Sequence, residues 1–404
     1  MEQTDVDVAI IGAGPVGGAL ACRLAAAGRR VALVDRAALP PMEHPDFDGR
    51  AYAIARGSRA LLDASGLWER LPFAPCPILD IRVTDGRPGR PPSPLSLHFD
   101  HRDAAGEPDE AEPFGWIVEA RALRMAINRR LHELKGIRLF APAEAEVTRQ
   151  ADRVTLRIGN GPILTAKLII AADGRNSQIR AEAGIPVTRF SYRQSAVVCA
   201  IAHEKPHENL ALEHFLPGGP FAQLPMTGSI ETPNVSAIVF TESHAAAARL
   251  GAMDGVAFTR EVARRLGDYL GAVRLVGKRW TYPLSGLHAH RYTATRLALV
   301  GDSAHGIHPI AGQGLNLGLR DAEALARLTA DAADPGDPAL LARYQRARRP
   351  DNLLMLAATD GLDRLFSNDI GPVRLARDIG LAAVNRMPGL KRAFMQTAMG
   401  LDQH

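Results

Sequence analysis

Apolar residues in this chain are gathered into short runs that are bounded by glycine and acidic residues. Residues 6–11, 31–34 and 296–300 are such runs, rich in valine, isoleucine and leucine. Runs of this length are typical of strands buried on both faces of a parallel sheet. Residues 19–27, between the first two runs, are mostly small and apolar and predict a helix. The alternation of strand and helix predicts an α/β fold.

Other segments have the periodicity of amphipathic helices or of alternating strands. A short helix is predicted over residues 57–66 and a longer one over residues 119–135, because apolar positions recur there at helical spacing. Another helix is predicted to start at Asp337-Pro338, a capping residue followed by proline. Residues 137–157 and 184–285 contain alternating strands, and the second of these ranges predicts a separate sheet.

Three glycines follow the first apolar run in the spacing G-x-G-x-x-G. Gly12 would make the tight turn, Gly14 would admit a pyrophosphate, and Gly17 would let the helix pack on the strand. Asp35 ends the next strand, at the position of an acid that binds a ribose hydroxyl. Arg36 beside it would suit a 2′-phosphate. The motif therefore predicts a dinucleotide without deciding which one.

Two later loops also follow apolar strands. Asp173-Gly174 ends the run 166–172, and Asp302 follows the run 296–300. Ligands of open α/β sheets bind beyond the carboxyl ends of the strands. A helix is predicted to begin near Gln313, and its N-terminal N–H groups and dipole would stabilise the negative charge of a reduced flavin. The alternative for this loop alone is a surface turn with no ligand.

Together the three loops resemble the fingerprints of the aromatic-ring hydroxylase flavoproteins, the group that includes p-hydroxybenzoate hydroxylase. Within that group the chain resembles the ubiquinone-biosynthesis hydroxylase family. The stretches that carry the narrower resemblance are residues 48–54, 115–119, 219–225, 308–321 and 365–369, among which His-Pro-Ile-Ala-Gly-Gln-Gly is the most specific. Tyr52, Ala120 and Ser303 depart from the residues usual in the family, and these departures bear on substrate detail more than on FAD binding.

The resemblance implies a Rossmann-like FAD-binding domain interleaved with a β-sheet substrate domain, followed by C-terminal helices. The FAD-binding domain would comprise residues 1–80, 114–183 and 286–370. Residues 81–113 would form a β-segment and a long loop, residues 184–285 the substrate domain, and residues 371–404 a C-terminal helical segment.

The resemblance also implies which residues hold FAD and the substrate. The predicted FAD ligands are Gly12, Gly14, Pro15, Gly17, Asp35, Arg36, Arg50, Arg121, Asp173, Gly174, Asp302, Pro309, Gly312, Gln313, Gly314, Leu315 and Asn316. For Arg121, starting a helix is an equal alternative. The predicted substrate residues are Phe221, Leu224, Pro225 and Tyr282, in a wall to which Phe215 and Met226 also contribute.

The implied reaction uses FAD, O₂ and NAD(P)H or another reductant, and it proceeds through a flavin C4a-hydroperoxide that attacks an electron-rich ring. The cofactor supplies this chemistry, while the protein supplies orientation and a dry site. Pro309 would wall the flavin. Removal of the phenolic proton would help the reaction, and Tyr282, His305 and His308 are the candidates for a base. The alternatives are a core position for Tyr282 and a bond from His305 to a backbone carbonyl.

Composition and charge narrow the remaining possibilities. The net charge is +4 with a pI near 9.1, which is too mild and too scattered to indicate nucleic acid. Three cysteines without CxxC spacing argue against a disulfide framework, and no metal-binding or nucleophile motif is present. No secretory signal or membrane-spanning run is evident, so the expected location is cytoplasmic.

A basic amphipathic stretch lies near the end of the chain. It carries Arg374, Arg377, Arg386, Lys391 and Arg392, and it would lie on an anionic membrane or pack on the main domain. The expected substrate is a polyprenylated phenol that is met at the membrane surface, and contacts with other quinone-pathway proteins or a homo-oligomer are open. The alternative functions are hydroxylation of a small soluble phenol, reduction of a prenyl group, or a non-catalytic flavoprotein scaffold. Ring position, prenyl length and electron donor are not determined by the sequence.

Overall fold

The apolar runs form the centre of a six-stranded sheet. The computed structural model describes residues 5–39, 46–90, 93, 95–104, 111–366, 380, 384 and 387–400. The strands of this sheet are β1 (Val8–Ile11), β2 (Val31–Val34), β8 (Ile137–Phe140), β12 (Leu168–Ala171), β18 (Thr293–Ala294) and β19 (Leu297–Leu299). Their order is β18-β19-β12-β1-β2-β8, with β18 antiparallel to β19 and the other pairs parallel. Every residue of β2 and β12 is buried, so both faces of the sheet are covered.

Helices follow the strands, as the alternating pattern predicts. They are α1 (Pro15–Ala26), α2 (Arg56–Ala64), α3 (Ala120–Glu133), α4 (Gln178–Glu182), α5 (His244–Ala252), α6 (Gly255–Leu266), α7 (Gln313–Thr329), α8 (Pro338–Phe366) and a last described helix, Pro388–Met399. The predicted start of α8 is confirmed, because the Asp337 carboxylate accepts the N–H groups of Ala339 and Leu340 at 2.9 and 3.0 Å. The predicted first helix begins earlier than expected, at Pro15, which suits the first helical turn.

The second sheet has eight strands, in the order β20-β17-β13-β16-β15-β14-β5-β6. Its strands are β5 (Asp80–Asp85), β6 (Leu97–Asp100), β13 (Val187–His203), β14 (Leu210–Leu216), β15 (Gly219–Thr227), β16 (Asn234–Ser243), β17 (Val273–Ala289) and β20 (His305–Gly306). The predicted substrate sheet is thus present. β17 continues past the predicted domain boundary after residue 285, and the division of the chain into domains remains a prediction.

Two helices interrupt this region, which the alternating pattern did not predict. The Ser243 hydroxyl caps α5 and the Asp254 carboxylate caps α6, each by accepting a backbone N–H. Apolar residues of α5 and α6, such as Phe258, pack with Phe240 and Phe221 of the sheet. One face of the eight-stranded sheet is therefore closed by helices.

Two three-stranded sheets complete the described fold. One contains β3 (Ala51–Ala55), β4 (Cys76–Ile78) and β7 (Gly115–Glu119), and the other contains β9 (Ala145–Arg149), β10 (Val154–Ile158) and β11 (Ile163–Ala166). The first lies against the eight-stranded sheet on the side opposite α5 and α6, where Ile117 and Leu224 share one apolar cluster.

The predicted basic segment at the end of the chain is described only in part. Arg374, Arg377 and Arg386 lie outside the described residues. Pro388 begins the last described helix. Met395 and Met399 of this helix are buried against β4 and β7, so the helix packs on the protein.

Candidate active site

The loop between β1 and α1 leaves space at one of its glycines. Gly12 has a φ of +105°, and a side chain there would meet the Ala172 carbonyl oxygen at 2.3 Å. Gly17 is needed for packing, since a Cβ would lie 2.0 Å from the Gly12 oxygen. Gly14 has ordinary extended backbone and no atom within 4 Å of its missing Cβ, so the fold itself does not require glycine there. Open space at a helix N-terminus suits a phosphate group.

Asp35 closes this loop from the end of β2. Its carboxylate accepts the N–H of Ala13 at 2.7 Å and that of Ala37 at 2.8 Å. The carboxylate is thus held beside the glycine loop, where the ribose of a dinucleotide was expected. Arg36 points to solvent.

The Asp-Gly loop after β12 presents an acceptor that the protein leaves unused. Asp173 Oδ2 accepts the N–H of Gln178 at 2.9 Å and so caps α4, where Ser177 also accepts the N–H of Arg180. Asp173 Oδ1 is buried and has no hydrogen-bond partner in the part of the chain that the structure describes. A buried acceptor of this kind normally has a donor, and a bound hydroxyl group would supply one.

The loop that contains Asp302 is connected to the Asp-Gly loop by an ion pair. Arg175 Nε lies 2.9 Å from Asp302 Oδ2, and its Nη1 donates to the Ser285 carbonyl oxygen at 2.8 Å. About half of the Asp302 side chain is exposed. Asp302 therefore stands at the strand end, as predicted, with one side open to a ligand.

The glycine-rich loop after Pro309 leads directly into α7. Gly312 is in the left-handed region at φ +63°, and α7 begins at Gln313, as predicted. Gly314 resembles Gly14, because nothing lies within 4 Å of its missing Cβ. Leu315 is partly exposed beside it. The loop thus leaves open space at the N-terminus of a 17-residue helix, where negative charge is stabilised.

Asn316, a predicted FAD ligand, also bonds within the protein. Its Oδ1 accepts the N–H of Ala55 at 2.8 Å, and its Nδ2 donates to the carbonyl oxygens of Ala53 and Gly312 at 2.9 and 3.2 Å. Both N–H groups of the amide and its oxygen are engaged by these bonds, so Asn316 holds β3 against the glycine-rich loop. A contact between Asn316 and FAD remains a prediction.

A buried polar cluster around Asp321 holds the loop that contains Asp302. The Asp321 carboxylate accepts hydrogen bonds from Gly301 N–H (3.1 Å), His305 Nε2 (2.6 Å), Arg348 Nε (2.9 Å) and Asn352 Nδ2 (2.9 Å). Burial alone would raise the pKa of Asp321, but its pairing with His305 and Arg348 outweighs burial and lowers the pKa to about 2. The Asp321 cluster joins α7, α8 and the Asp302 loop.

His305 is therefore bonded to a carboxylate and not to the predicted backbone carbonyl. The sequence contained part of this signal, since Asp321 closes the family stretch 308–321 and Arg348 and Asn352 are four residues apart on one helix. It could not show that the three side chains meet. As a proton carrier, His305 remains a prediction.

Arg50 stands at the start of β3, facing the eight-stranded sheet. Its Nε lies 2.9 Å from Asp48 Oδ2, and its guanidinium stacks 4.6 Å from the centre of the Trp280 ring. Burial tends to raise the pKa of Asp48, but hydrogen bonds and charge from Arg50 and Arg124 hold it below its usual value. Trp280 in turn donates to the Asp48 carbonyl oxygen at 2.8 Å. These contacts fix the position of a cation beside the predicted flavin site.

Tyr282 lies next to this group and is not a core residue. It stacks on Trp280 with ring centres 6.5 Å apart, and 40% of its side chain is exposed. The alternative of a buried aromatic is thus wrong. Arg121, the other predicted arginine, pairs with Glu119 at 2.6 Å and lies over Phe73 near the start of α3.

His308 occupies a separate buried setting. Its Nε2 is 3.6 Å from Asp363 Oδ1, and Tyr192 meets the ring edge-on at 4.7 Å. Burial lowers the pKa of His308. Pro309, the next residue, is partly exposed at the flavin loop. The structure thus places His308 beside the loop, as the sequence suggested.

The predicted substrate residues divide between the two faces of the eight-stranded sheet. Phe221 has no exposed surface and packs under α5 and α6, and Pro225, four residues along β15, shares that face. Leu224 points the other way and is partly exposed. We define the open face as the one that carries Ala222 and Leu224. The wall is therefore corrected: Phe221 and Pro225 lie behind the open face.

Other groups narrow the chemistry that the site supports. Among the described residues no set of three or more His, Cys, Asp or Glu side chains is placed to hold a metal ion. Within the same residues no helix is both long and apolar enough to cross a membrane. Cys22, Cys76 and Cys199 are all buried, and burial raises the pKa of each thiol.

Known proteins resemble this chain over nearly its whole length. A family model described as an FAD binding domain matches residues 5–358. The ubiquinone hydroxylase UbiL of Rhodospirillum rubrum is 49% identical over 399 residues, which cover 98% of this chain and 89% of that protein. The 3-demethoxyubiquinol 3-hydroxylase of Escherichia coli is 33% identical over 410 residues, covering 99% and 100%.

Solved structures agree on the fold. The p-nitrophenol 4-monooxygenase PnpA of Pseudomonas putida DLL-E4 superposes with a TM-score of 0.78 at 19% identity, and the match covers 100% of both chains. At this identity the likeness concerns the arrangement of the chain alone. It confirms the predicted two-sheet architecture of the flavin hydroxylases.

Proposed function

This chain belongs to the FAD-binding ubiquinone hydroxylase family, as its motifs predicted, and from that membership we propose that it hydroxylates the aromatic ring of a polyprenylated phenol. It is an FAD-dependent oxidoreductase that uses O₂ and a reduced electron donor. Bound FAD, once reduced, supplies the activated oxygen for the ring. The side chains and backbone of the protein bind and orient the cofactor and the substrate and exclude water.

The residues around the cleft fit FAD. Gly14 and Gly314 each leave open space at a helix N-terminus, where the pyrophosphate and the flavin ring would be held. Asp35 and the unpaired oxygen of Asp173 are acceptors for hydroxyl groups. Arg50, fixed by Asp48 and Trp280, would contribute positive charge. The remaining predicted ligands, including Pro15, Arg121, Gln313 and Leu315, are proposed as contacts of the same cofactor.

The open face is the observation that supports a lipid-like substrate. Val198, Ala222, Leu224 and Val239 are apolar and partly exposed although they lie on interior strands of the sheet. The matching positions on the helix-covered face, such as Phe221, are fully buried. An apolar surface left open in the interior suits an isoprenoid tail, and each buried methylene would contribute about 0.8 kcal/mol to binding.

The same location would let the enzyme exclude water from the reacting ring. Ala53 of β3 shares an apolar cluster with Leu224, and a Cβ at Gly312 would lie 3.1 Å from the Ala53 side chain. Ala53 of β3 is thus close to both the open face and the flavin loop. A phenol held between them would be near the flavin edge and out of bulk solvent.

Further parts of the proposal concern partners. NAD(P)H is the proposed reductant, and the last helix is proposed to approach anionic membranes through its exposed Arg392. Lys391 already pairs with Asp103 at 2.8 Å, which weakens its claim to a lipid contact. Association with other quinone-pathway proteins or with a second copy of the chain is proposed without a defined surface.

The test is product analysis with purified, FAD-loaded protein. We expect substrate-dependent O₂ uptake and a hydroxylated ring with a prenylated phenol, and a much weaker response with the same phenol without its tail. Equal turnover of the tail-less phenol would favour a small soluble substrate, and loss of a double bond would favour a prenyl reductase. Tight FAD binding with no O₂ uptake on any quinone precursor would favour a scaffold. Quinone intermediates that accumulate in a deletion strain would identify the missing hydroxyl group.

A further inference from the structure

One carboxyl group stands on the open face that no sequence motif marks. Glu213 is the fourth residue of β14, where it pairs with Ala222 of β15 and with Val83 of β5. Directly opposed residues of neighbouring strands point to the same face. Leu212 and His214, its chain neighbours, point to the helix-covered side and are buried. Glu213 therefore shares the face of Ala222 and Leu224.

The protein provides no partner for this carboxyl. No described residue forms an ion pair or a hydrogen bond with the Glu213 side chain, which lies deep in the protein yet keeps some accessible surface. A carboxylate among apolar residues without a partner is costly, and such groups are usually paired or functional. The polar end of Glu213 is available to a molecule on the open face.

A continuous row of side chains connects Glu213 with the predicted flavin site. From Glu213 the strand pairings run through Ala222, Val239 and Val198 to Trp280. Trp280 is the residue on which Arg50 stacks. The three residues between the carboxyl and Trp280 are apolar and partly exposed. A ring bound beside Glu213 would thus lie on the same floor that leads, over four strand spacings of about 4.8 Å each, to the arginine of the flavin site.

We propose that Glu213 is the base that accepts the phenolic proton of the substrate. This inference rests on the proposed function, because it requires a phenol on the open face. The carboxylate takes the proton from the ring hydroxyl and leaves a phenolate, whose ring carbons are more electron-rich. After oxygen transfer the attacked carbon loses its proton to water as the ring becomes aromatic again, and water passes a proton to the group that gave up the oxygen. The carboxylic acid of Glu213 returns its own proton to the phenolate oxygen. Glu213 is neither oxidised nor reduced.

The acidity of the group suits this role. Burial raises the pKa of Glu213 to about 7, which matches a base that works near neutral pH. β5 carries Asp80, Arg82 and Asp85, and the last turns of α8 carry Asp360, Asp363 and Arg364. Burial is the cause that accounts for the raised pKa, so the pH dependence is expected to follow Glu213 itself.

The experiment compares Glu213→Gln with Glu213→Asp and the wild type, each loaded with FAD. Glutamine keeps the shape and removes the base. We expect Glu213→Gln to retain FAD and reducibility but to form hydroxylated product at least about 10²-fold more slowly at pH 7. The wild-type rate should rise with pH through about 7, and this limb should be absent in Glu213→Gln. Glu146→Gln, at an exposed position on β9, is the control and should behave as the wild type.

Substrate acidity separates a base from a structural residue. A ring-fluorinated prenylated phenol loses its proton more readily, so it should restore much of the rate of Glu213→Gln. An equal loss with both phenols, or an unchanged pH profile and product yield, would overturn the proposal.

A binding measurement tests the role of Glu213 independently of the proposed lipid substrate. Ultraviolet difference spectra of phenols bound to the oxidised, non-turning-over protein report the phenolate fraction, which should fall in Glu213→Gln. If the wild type hydroxylates only soluble phenols, the lipid substrate is wrong, and the same comparison with an accepted phenol still tests Glu213. A phenolate fraction that is the same in both proteins refutes the base.

Discussion

Replacement of Asp321 by asparagine is expected to destabilise the protein more than any surface change. The Asp321 side chain has no exposed surface, and its two oxygens accept four hydrogen bonds, one of them from Arg348. Asparagine keeps the shape but removes the charge and turns one acceptor into a donor. Arg348, of which only 1% is exposed, would remain as a buried cation with its main partner gone.

Two estimates give the loss of unfolding free energy expected for Asp321→Asn. The pKa of Asp321 falls from an ordinary 3.8 to about 2, which corresponds to about 2.5 kcal/mol at 1.4 kcal/mol for each pH unit. This contribution is present above the unfolded pKa and is lost as pH falls through about 2. Removal of one partner of a buried pair typically costs about 3–5 kcal/mol. We therefore expect Asp321→Asn to lower the free energy of unfolding by about 3 kcal/mol at pH 7.

The assay is urea unfolding at pH 7 with excess FAD, followed by protein and flavin fluorescence. Asp331→Asn, at an exposed position after α7, is the matched control and should change stability by less than about 0.5 kcal/mol. A double variant with Asp321→Leu and Arg348→Met removes both charges and should recover part of the loss. The reasoning fails if Asp321→Asn is as stable as the control. It also fails if the double variant loses more unfolding free energy than the single variants Asp321→Leu and Arg348→Met lose when their losses are added.

Three further predictions concern the cofactor and the membrane. Gly14→Val should fold normally and fail to bind FAD, because its side chain would enter space that the protein leaves open; flavin titration against Gly361→Val, which also has open space but lies on α8, checks this. Asp302→Ala should weaken FAD retention, and normal flavin occupancy in the folded variant would contradict the assignment. Wild type should float with anionic vesicles, and charge reversal at Arg386, Lys391 and Arg392 should abolish flotation; if both float alike, or neither does, the segment is structural.

The sequence was informative about residues that directly follow a strand or begin a helix. Gly12, Asp35 and Gln313 lie where a strand or helix ends, so a spacing motif locates each of them. The fold followed from the same motifs, and the likeness to known hydroxylases confirms it. Residue-level contacts with FAD and substrate remain predictions.

The sequence was least informative about faces and partners. Alternation in β15 separates Phe221 from Leu224 but does not tell which of them α5 and α6 will cover. Glu213 could not be found for the same reason, because only the strand pairing shows that it stands on the open face. Asn316 was assigned to FAD by resemblance, and only the fold shows that its amide is used by β3.

The strand order of the six-stranded sheet also determines when the flavin site can exist. β1 is made before the other strands of this sheet, yet its neighbour β12 begins about 160 residues later and the loop at Gly314 lies some 300 residues later. At a synthesis rate of about 5–20 residues per second, roughly 15–60 seconds separate the first half of the site from the second. For about the first half of that interval the edge of β1 that will face β12 lacks its neighbour, and until the interval ends FAD has no complete site to bind. FAD can therefore stabilise only chains whose synthesis has passed Gly314.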